Sequence, residues 1–206
     1  MPAYIFEPIL ERGAKSGKFP SLLDNSRAWF RNQASRTAAS PNRMIMSDRQ
    51  RFRRFPQIGS MYLFAYDPKT KKTLPYYDRF PLVIPFGSTT AIGRATAPGG
   101  EGFYGLNMHY LPPILRAKLM DKLYMYANNK QLDESTRLRI SYKLLSKAAN
   151  LRYFKPCVKH YLFSHMRSRF FYIEPTEWDM ALFLPLDRFV GANKSVIYKA
   201  SREIIG

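Results

Sequence analysis

The sequence predicts an α+β fold: a small twisted antiparallel sheet followed by a helical C-terminal half, with an extended basic N-terminal arm. Short aromatic and aliphatic runs bounded by turn residues occupy residues 56–110, a pattern typical of strands. Helical patterns follow from residue 112, and strands followed by helices indicate an α+β domain. We therefore expect a basic arm at residues 1–55 and a single α+β core domain at residues 56–206.

The arm is predicted from its composition. Residues 1–55 carry 11 basic and 4 acidic side chains, and the segment 21–48 is rich in Ser, Asn, Ala and Arg. Such a stretch buries too little apolar surface on its own to offset the entropy of ordering it. Apart from a short helix at 26–35, we expect extended chain that orders on its own domain or on a neighbouring subunit.

Three strands are predicted in the first part of the core. Pro81 and Pro85 lie on the same face of the second strand, which favours an edge strand or a strand with that face unpaired. The stretch 87–102 contains five glycines and is expected to be a flexible loop. The predicted strands are Met61–Tyr66, Phe80–Phe86 and Phe103–Tyr110.

The remainder is predicted to be helical, with proline or a capping residue at several helix starts. In the first helix Leu115 and Leu119 share a face, and Arg116 points away from that face. Trp178 is expected on the buried side of the fourth helix, at 175–184. The predicted helices cover approximately residues 112–127, 133–149, 157–169, 175–184 and 192–205.

The residue content excludes several classes of protein. Cys157 is the single cysteine, so an internally cross-linked secreted scaffold is excluded. No run of about 18 apolar residues exists to form a transmembrane helix. Near the N-terminus the charges follow the few apolar residues, which is the reverse of a secretory signal. These features predict a protein made and kept in a reducing cytoplasm.

The sequence favours a non-enzymatic protein without metal or cofactor. Cys157, His160 and His165 have side chains that can bind zinc. On a helix, however, His165 lies about 140° around the axis from His160, so the three side chains would not converge. A packing cysteine and surface or partly buried histidines are therefore the favoured interpretation. The glycines at 99–105 lack the spacing of a phosphate or dinucleotide loop and are assigned to loop flexibility. Acidic residues are too sparse to indicate a magnesium site.

The chemistry that remains is basic and aromatic. Lys and Arg total 33 against 15 Asp and Glu, a net charge of +18, which predicts a polyanionic partner. Arginine matches phosphate bidentately, and Phe52 and Phe55 offer either a stacking face for bases or anchors to the core. The candidate nucleic-acid-binding residues are Arg49, Arg51, Arg53, Arg54, Lys69, Lys71, Lys72, Arg137, Arg139, Lys143 and Lys147.

Several strings of the core resemble a family of small proteins from T-even-type tailed phages. The family includes the DNA end protector, which enters the filled head and shields the terminus of the packaged genome from host exonuclease. The resemblance covers roughly residues 27–199 and supplies no catalytic residues. The stretch 87–102 is longer than the connection expected there. The strings include YDPKTKKTLPYYDRFPL at 66–82, GFYGLNMHYLPPILRAKLMDKLY at 102–124 and EWDMALFLPLDRF at 177–189.

Charge and resemblance together imply a non-enzymatic virion structural protein, made in the host cytoplasm. It would bind double-stranded DNA at the genome terminus near the head–tail junction, without sequence specificity, because phosphates carry no base information. The alternative is a neck, tail or baseplate component whose basic surface contacts acidic neighbouring subunits. Both imply other virion proteins as partners, a symmetric or multi-protein assembly, and no membrane.

Overall fold

The computed structural model describes residues 49–88, 101–127, 145–147, 149–174, 178–183 and 187–206. For residues 49, 88, 122–127, 179, 180 and 183 only the backbone is described. The predicted arm up to residue 48, with its short helix, lies outside these ranges, as does most of the helix predicted at 133–149. Helices and antiparallel strands are mixed, as an α+β fold requires.

The strands form one six-stranded antiparallel sheet and a separate two-stranded ribbon. The order in the sheet is β1-β7-β2-β4-β5-β6, and β3 pairs with β8 in the ribbon. The strands are β1 (Phe52–Arg53), β2 (Met61–Leu63), β3 (Tyr77–Asp78), β4 (Leu82–Ser88), β5 (Gly102–Asn107), β6 (Val158–Leu162), β7 (Phe170–Ile173) and β8 (Phe189–Val190).

Three predicted helices are confirmed: α1 (Pro113–Ala127), α2 (Trp178–Phe183) and α3 (Lys194–Ile205). Trp178 is buried, as predicted. Helix α3 begins after Asn193, whose side chain accepts a hydrogen bond from the Val196 N–H at 3.1 Å and so caps the helix. Short 3₁₀ helices occur at Arg49–Arg51, Met108–Tyr110, Arg152–Cys157 and Phe163–His165.

The helix predicted over 157–169 is wrong, because this segment forms β6 and its connection to β7. Every residue of β6 pairs with β5, from Val158 opposite Leu106 to Leu162 opposite Gly102. The following run Phe170–Ile173 forms β7, which lies inside the sheet between the edge strand β1 and β2. The C-terminal half therefore contributes strands as well as helices, and the prediction of a helical C-terminal half is wrong.

The edge position predicted for the second strand is also wrong. Strand β4 lies inside the sheet, between β2 and β5. Pro81 precedes the strand, and Pro85 adjoins an irregularity where the register with β5 shifts. The carbonyl of Pro85 accepts a hydrogen bond from the Gly59 N–H at 3.1 Å. Both prolines thus avoid positions where a ladder N–H is needed.

The two faces of the sheet belong to different cores. Along β2, Met61 and Leu63 contribute to the core shared with α1, α2 and α3, whereas Tyr62 contributes to an aromatic core on the other face. This alternation follows from the two-residue period of a strand. The aromatic core is built from Tyr62, Phe64, Tyr66, Val83, Phe103, Tyr161 and Phe170.

Two glycines that were assigned to loop flexibility lie instead in β5. A Cβ on Gly102 would overlap the carbonyl oxygen of Tyr161 in β6, and one on Gly105 would overlap the Val83 side chain in β4. Glycine at these positions therefore permits close packing of β5 against both neighbours.

Arg116, predicted to point away from the core, is buried. Its guanidinium donates to the carbonyls of Leu111 and Leu182, both at 2.7 Å, and to the Tyr198 hydroxyl at 2.5 Å. These bonds satisfy the buried cation and join α1 to α2 and α3. None of the helices in the described ranges combines the length and the hydropathy that a membrane span requires.

Candidate nucleic-acid interface

The arginine cluster lies at one edge of the sheet. Although predicted within the arm, Phe52 and Arg53 pair with Phe171 and Phe170 of β7. The Phe52 ring packs edge-on against Phe171 at 5.3 Å between centroids. Phe55 packs in the same way against Phe163 at 6.1 Å. Both rings therefore serve as anchors to the core, the second of the two predicted roles.

The guanidinium groups of this cluster differ in their surroundings. Arg51 is largely covered and lies 3.9 Å from the Glu174 carboxylate. Arg53 and Arg54 are exposed, the former 5.8 Å from the centre of the Tyr172 ring and the latter 5.3 Å from that of Phe55. Cation–π contact of this kind orients a guanidinium without neutralising it, so both charges remain available to a phosphate.

The lysine turn between β2 and β3 forms the second predicted cluster. Asp67 accepts hydrogen bonds from Lys71 at 2.9 Å and from Arg167 at 3.3 Å. The bond from Lys71, with that from Arg167, holds the pKa of Asp67 below its ordinary value. Lys69 and Lys72 are exposed and have no carboxylate partner within the described part of the chain.

The connection between β6 and β7 brings the two clusters together. At one end Phe163 contacts Phe55, beside Arg54. At the other end, the His165 carbonyl accepts a hydrogen bond from the Asp67 N–H at 3.1 Å. The connection also carries two exposed arginines that sequence reasoning did not select. We call the resulting surface the basic ridge; it consists of Arg53, Arg54, Lys69, Lys71, Lys72, Arg167 and Arg169.

The other sequence candidates are not placed on the ridge. Arg137, Arg139 and Lys143 lie outside the described residues, and of Arg49 only the backbone is described. Lys147 is exposed on a helical segment, and no described contact joins it to the ridge. Arg167 and Arg169 were missed because 157–169 was interpreted as a helix. The aromatic run at 170–173, directly after the arginines, was the available strand signal.

The comparison with protein families matches residues 23–204 to the phage T4 terminal DNA protecting protein. The chain belongs to this family. The match confirms the resemblance inferred from the sequence, and it includes the whole basic ridge. Searches of curated proteins and of solved structures returned no match.

In this member of the family, the cysteine and histidines considered as zinc ligands do not converge. Cys157 is buried and its thiol donates to the Phe154 carbonyl at 2.9 Å, while burial raises its pKa to about 12. His160 is exposed and stacks on Tyr104 at 4.8 Å. His165 binds the Asp67 carbonyl at 2.9 Å through Nδ1. Among the described residues no group of three His, Cys, Asp or Glu could hold a metal.

Proposed function

We propose that this protein binds the end of a DNA duplex through the basic ridge and shields that end from exonucleases. The observation that carries the proposal is the ridge itself, which gathers seven exposed cations from three chain segments. Asp67 offsets part of the charge of Lys71 and Arg167. The membership of a DNA-protecting family supports DNA as the polyanion.

The ridge favours contact with phosphates over reading of bases. It is made of turns and a two-residue strand, whereas base readout commonly uses a helix or a β-ribbon placed in the major groove. Arginine and lysine on such irregular segments suit the backbone of any sequence. We therefore propose binding without sequence preference, which suits a protein that must accept different termini.

We further propose that protection is achieved by occupancy and not by catalysis. The carboxylates described near the ridge are engaged in structural contacts, Asp67 with Lys71 and Arg167, and Glu174 with Arg51. A magnesium-dependent nuclease needs carboxylates that are free to coordinate the metal.

In the virion, we propose, the protein sits on the packaged genome terminus near the head–tail junction, among other virion proteins. The family match favours this placement on DNA over a neck, tail or baseplate component that contacts acidic subunits. Locating the labelled chain in intact particles tests this part of the proposal: label along the tail or at the baseplate would overturn it.

The binding proposal is tested by fluorescence anisotropy with a labelled blunt duplex, competed by unlabelled duplexes of unrelated sequence and by heparin. We expect all duplexes to compete equally and affinity to fall steeply as salt rises. Preference for one sequence would contradict binding through phosphates alone, and displacement by heparin at the same charge concentration as by DNA would contradict a surface that favours DNA over other polyanions.

A further inference from the structure

A pocket of about 350 Å³ opens beside the lysine turn of the ridge. Pro68, Lys69 and Thr70 form part of one wall, and residues of the edge strand β6 form another. Five tyrosines contribute to the lining. They are Tyr66, Tyr76, Tyr77, Tyr110 and Tyr161.

The polar floor of the pocket is held in one arrangement by buried hydrogen bonds. The Asn107 amide donates to the Tyr161 hydroxyl at 3.1 Å and to the Asp78 carboxylate at 3.3 Å. Asp78 also binds His109 Nδ1 at 2.6 Å, and both side chains are buried. Sites whose polar groups are fixed in advance bind ligands at a lower entropic cost.

Lys159 contributes its side-chain amine to the pocket. Its ammonium nitrogen lies 4.0 Å from the centre of the Tyr110 ring. Within the described part of the chain no carboxylate lies in salt-bridge range of it. Burial lowers the pKa of Lys159, and Cys157 acts in the opposite direction. A bound anion would supply Lys159 with a counter-charge that no carboxylate in the described ranges provides.

We propose that this pocket receives the terminal nucleotide of one DNA strand, with its base among the tyrosines and its phosphate on Lys159. The inference rests on the proposed function. The pocket volume is within the range of roughly 300 to 1,000 Å³ that is typical of small-ligand pockets, so it suits a single nucleotide. A pocket of this size is too small for a duplex. Aromatic rings accept any base by stacking, which agrees with a ridge that ignores sequence.

The pocket explains how an end is distinguished from the interior of a duplex. The ridge contacts only phosphates, which are the same along the whole molecule. Placing a nucleotide in the pocket requires its base to leave the stack, and this costs least where pairing is already weakest. A duplex end therefore gains contacts at the ridge and the pocket, whereas interior DNA gains those at the ridge alone.

The decisive variant is Lys159→Met, which keeps most of the side-chain volume and removes the charge. Binding is measured to a 5′-phosphorylated open duplex and to the same duplex closed by hairpin loops. We expect Lys159→Met to reduce the preference for open ends about tenfold, the loss typical of a bond to a charged group, with affinity for closed duplex nearly unchanged. Lys159→Arg should restore part of the preference. Lys155→Met, at an exposed neighbouring position, is the matched control.

The outcomes separate this inference from the proposed function. If the wild-type protein binds open and closed duplexes equally and with steep salt dependence, the pocket inference is overturned, whereas DNA binding by the ridge and protection by occupancy stand. If it binds neither duplex, the proposed function fails. An unchanged end preference in a folded Lys159→Met variant also overturns the pocket inference.

A second measurement needs no substitution. A duplex carrying 5-iodouracil at its terminal position is irradiated with the wild-type protein, and cross-linked peptides are identified by mass spectrometry. We expect cross-links to residues 66–77 or 159–162, and far fewer when the iodouracil is internal. Equal cross-linking from the internal position would contradict a pocket for the terminal nucleotide.

Discussion

The Asp78 carboxylate lies at the centre of a buried hydrogen-bond network. One oxygen accepts from the backbone N–H groups of Phe80 at 3.0 Å and Arg188 at 3.1 Å. The other binds Asn107 and His109. These partners lie up to 110 positions away in sequence, so a search for local motifs finds only an isolated acidic residue at this position.

The first prediction concerns the stability that this network provides. Replacing Asp78 with Ala leaves several buried donors without an acceptor, and a buried polar group left unsatisfied typically costs about 1–3 kcal/mol. Urea unfolding should show a loss of that size in the free energy of unfolding. The control, Glu203→Ala at an exposed position of α3, should leave it unchanged; equal losses in both variants would contradict the assigned role.

The second prediction concerns pH. Burial raises the pKa of Asp78, but the charge of His109, its hydrogen bond and the two backbone N–H groups together bring it below the ordinary value. The stabilisation is then complete above the unfolded-state pKa of about 4 and is lost as pH falls through the lower folded-state pKa. Urea unfolding below pH 4 should show a steeper decline for wild type than for Asp78→Asn, and parallel declines would contradict this.

Strand β5 shows how packing between strands restricts the choice of residue. Its two glycines allow β4 and β6 to approach on either side, and β6 in turn places Lys159 and Tyr161 in the pocket wall. These constraints come from neighbouring strands, so both glycines were assigned to loop flexibility even though Gly105 lies within the strand predicted at Phe103–Tyr110.

The third prediction compares two glycines of the β4–β5 pair. Gly102→Ala should lower the free energy of unfolding by about 1–3 kcal/mol, the usual cost of overpacking, because the new methyl group meets the backbone of β6. Gly87→Ala should be neutral or slightly stabilising, since nothing lies within 4 Å of the added Cβ. The two variants are compared by urea unfolding, and similar effects would contradict the packing at β5.

Elements with local signals were predictable, and those formed by distant pairing were not. The predicted α1, with proline in its first turn, and the predicted α3 agree with the observed helices to within about two residues at their ends. Strands β6 and β7 went unrecognised because their stability comes from pairing with strands far away in sequence. Arg53, Arg54 and the lysine turn were selected because they form clusters along the sequence. Arg167, Arg169 and Lys159 were not selected, because only the pairing of β6 and β7 brings them to the ridge and the pocket.

At the scale of the whole molecule, the basic ridge determines how the affinity for DNA should depend on salt concentration. The fourth prediction uses Arg53→Ala combined with Arg54→Ala. Each lost phosphate contact changes the slope of log K against log salt by about 0.9, so this double variant should flatten the slope by about 1.8. Adding Arg51→Ala should change it less, because Arg51 already lies near Glu174.

The matched control removes two exposed lysines from the helical side of the fold, Lys118 on α1 and Lys199 on α3. Loss of these charges lowers the net charge equally but leaves the ridge intact. Anisotropy titrations over a series of salt concentrations should give a nearly wild-type slope for this control. Equal flattening in both double variants would mean that net charge, and not the ridge, determines binding.

Exonuclease digestion of a linear duplex tests the proposed function most directly. With the wild-type protein at saturation, the duplex should remain full length, while the variant with Arg53, Arg54, Lys69 and Lys72 all replaced by Ala should leave it exposed to digestion at the same protein concentration. Rapid digestion of DNA that is fully bound by the wild-type protein would contradict the account.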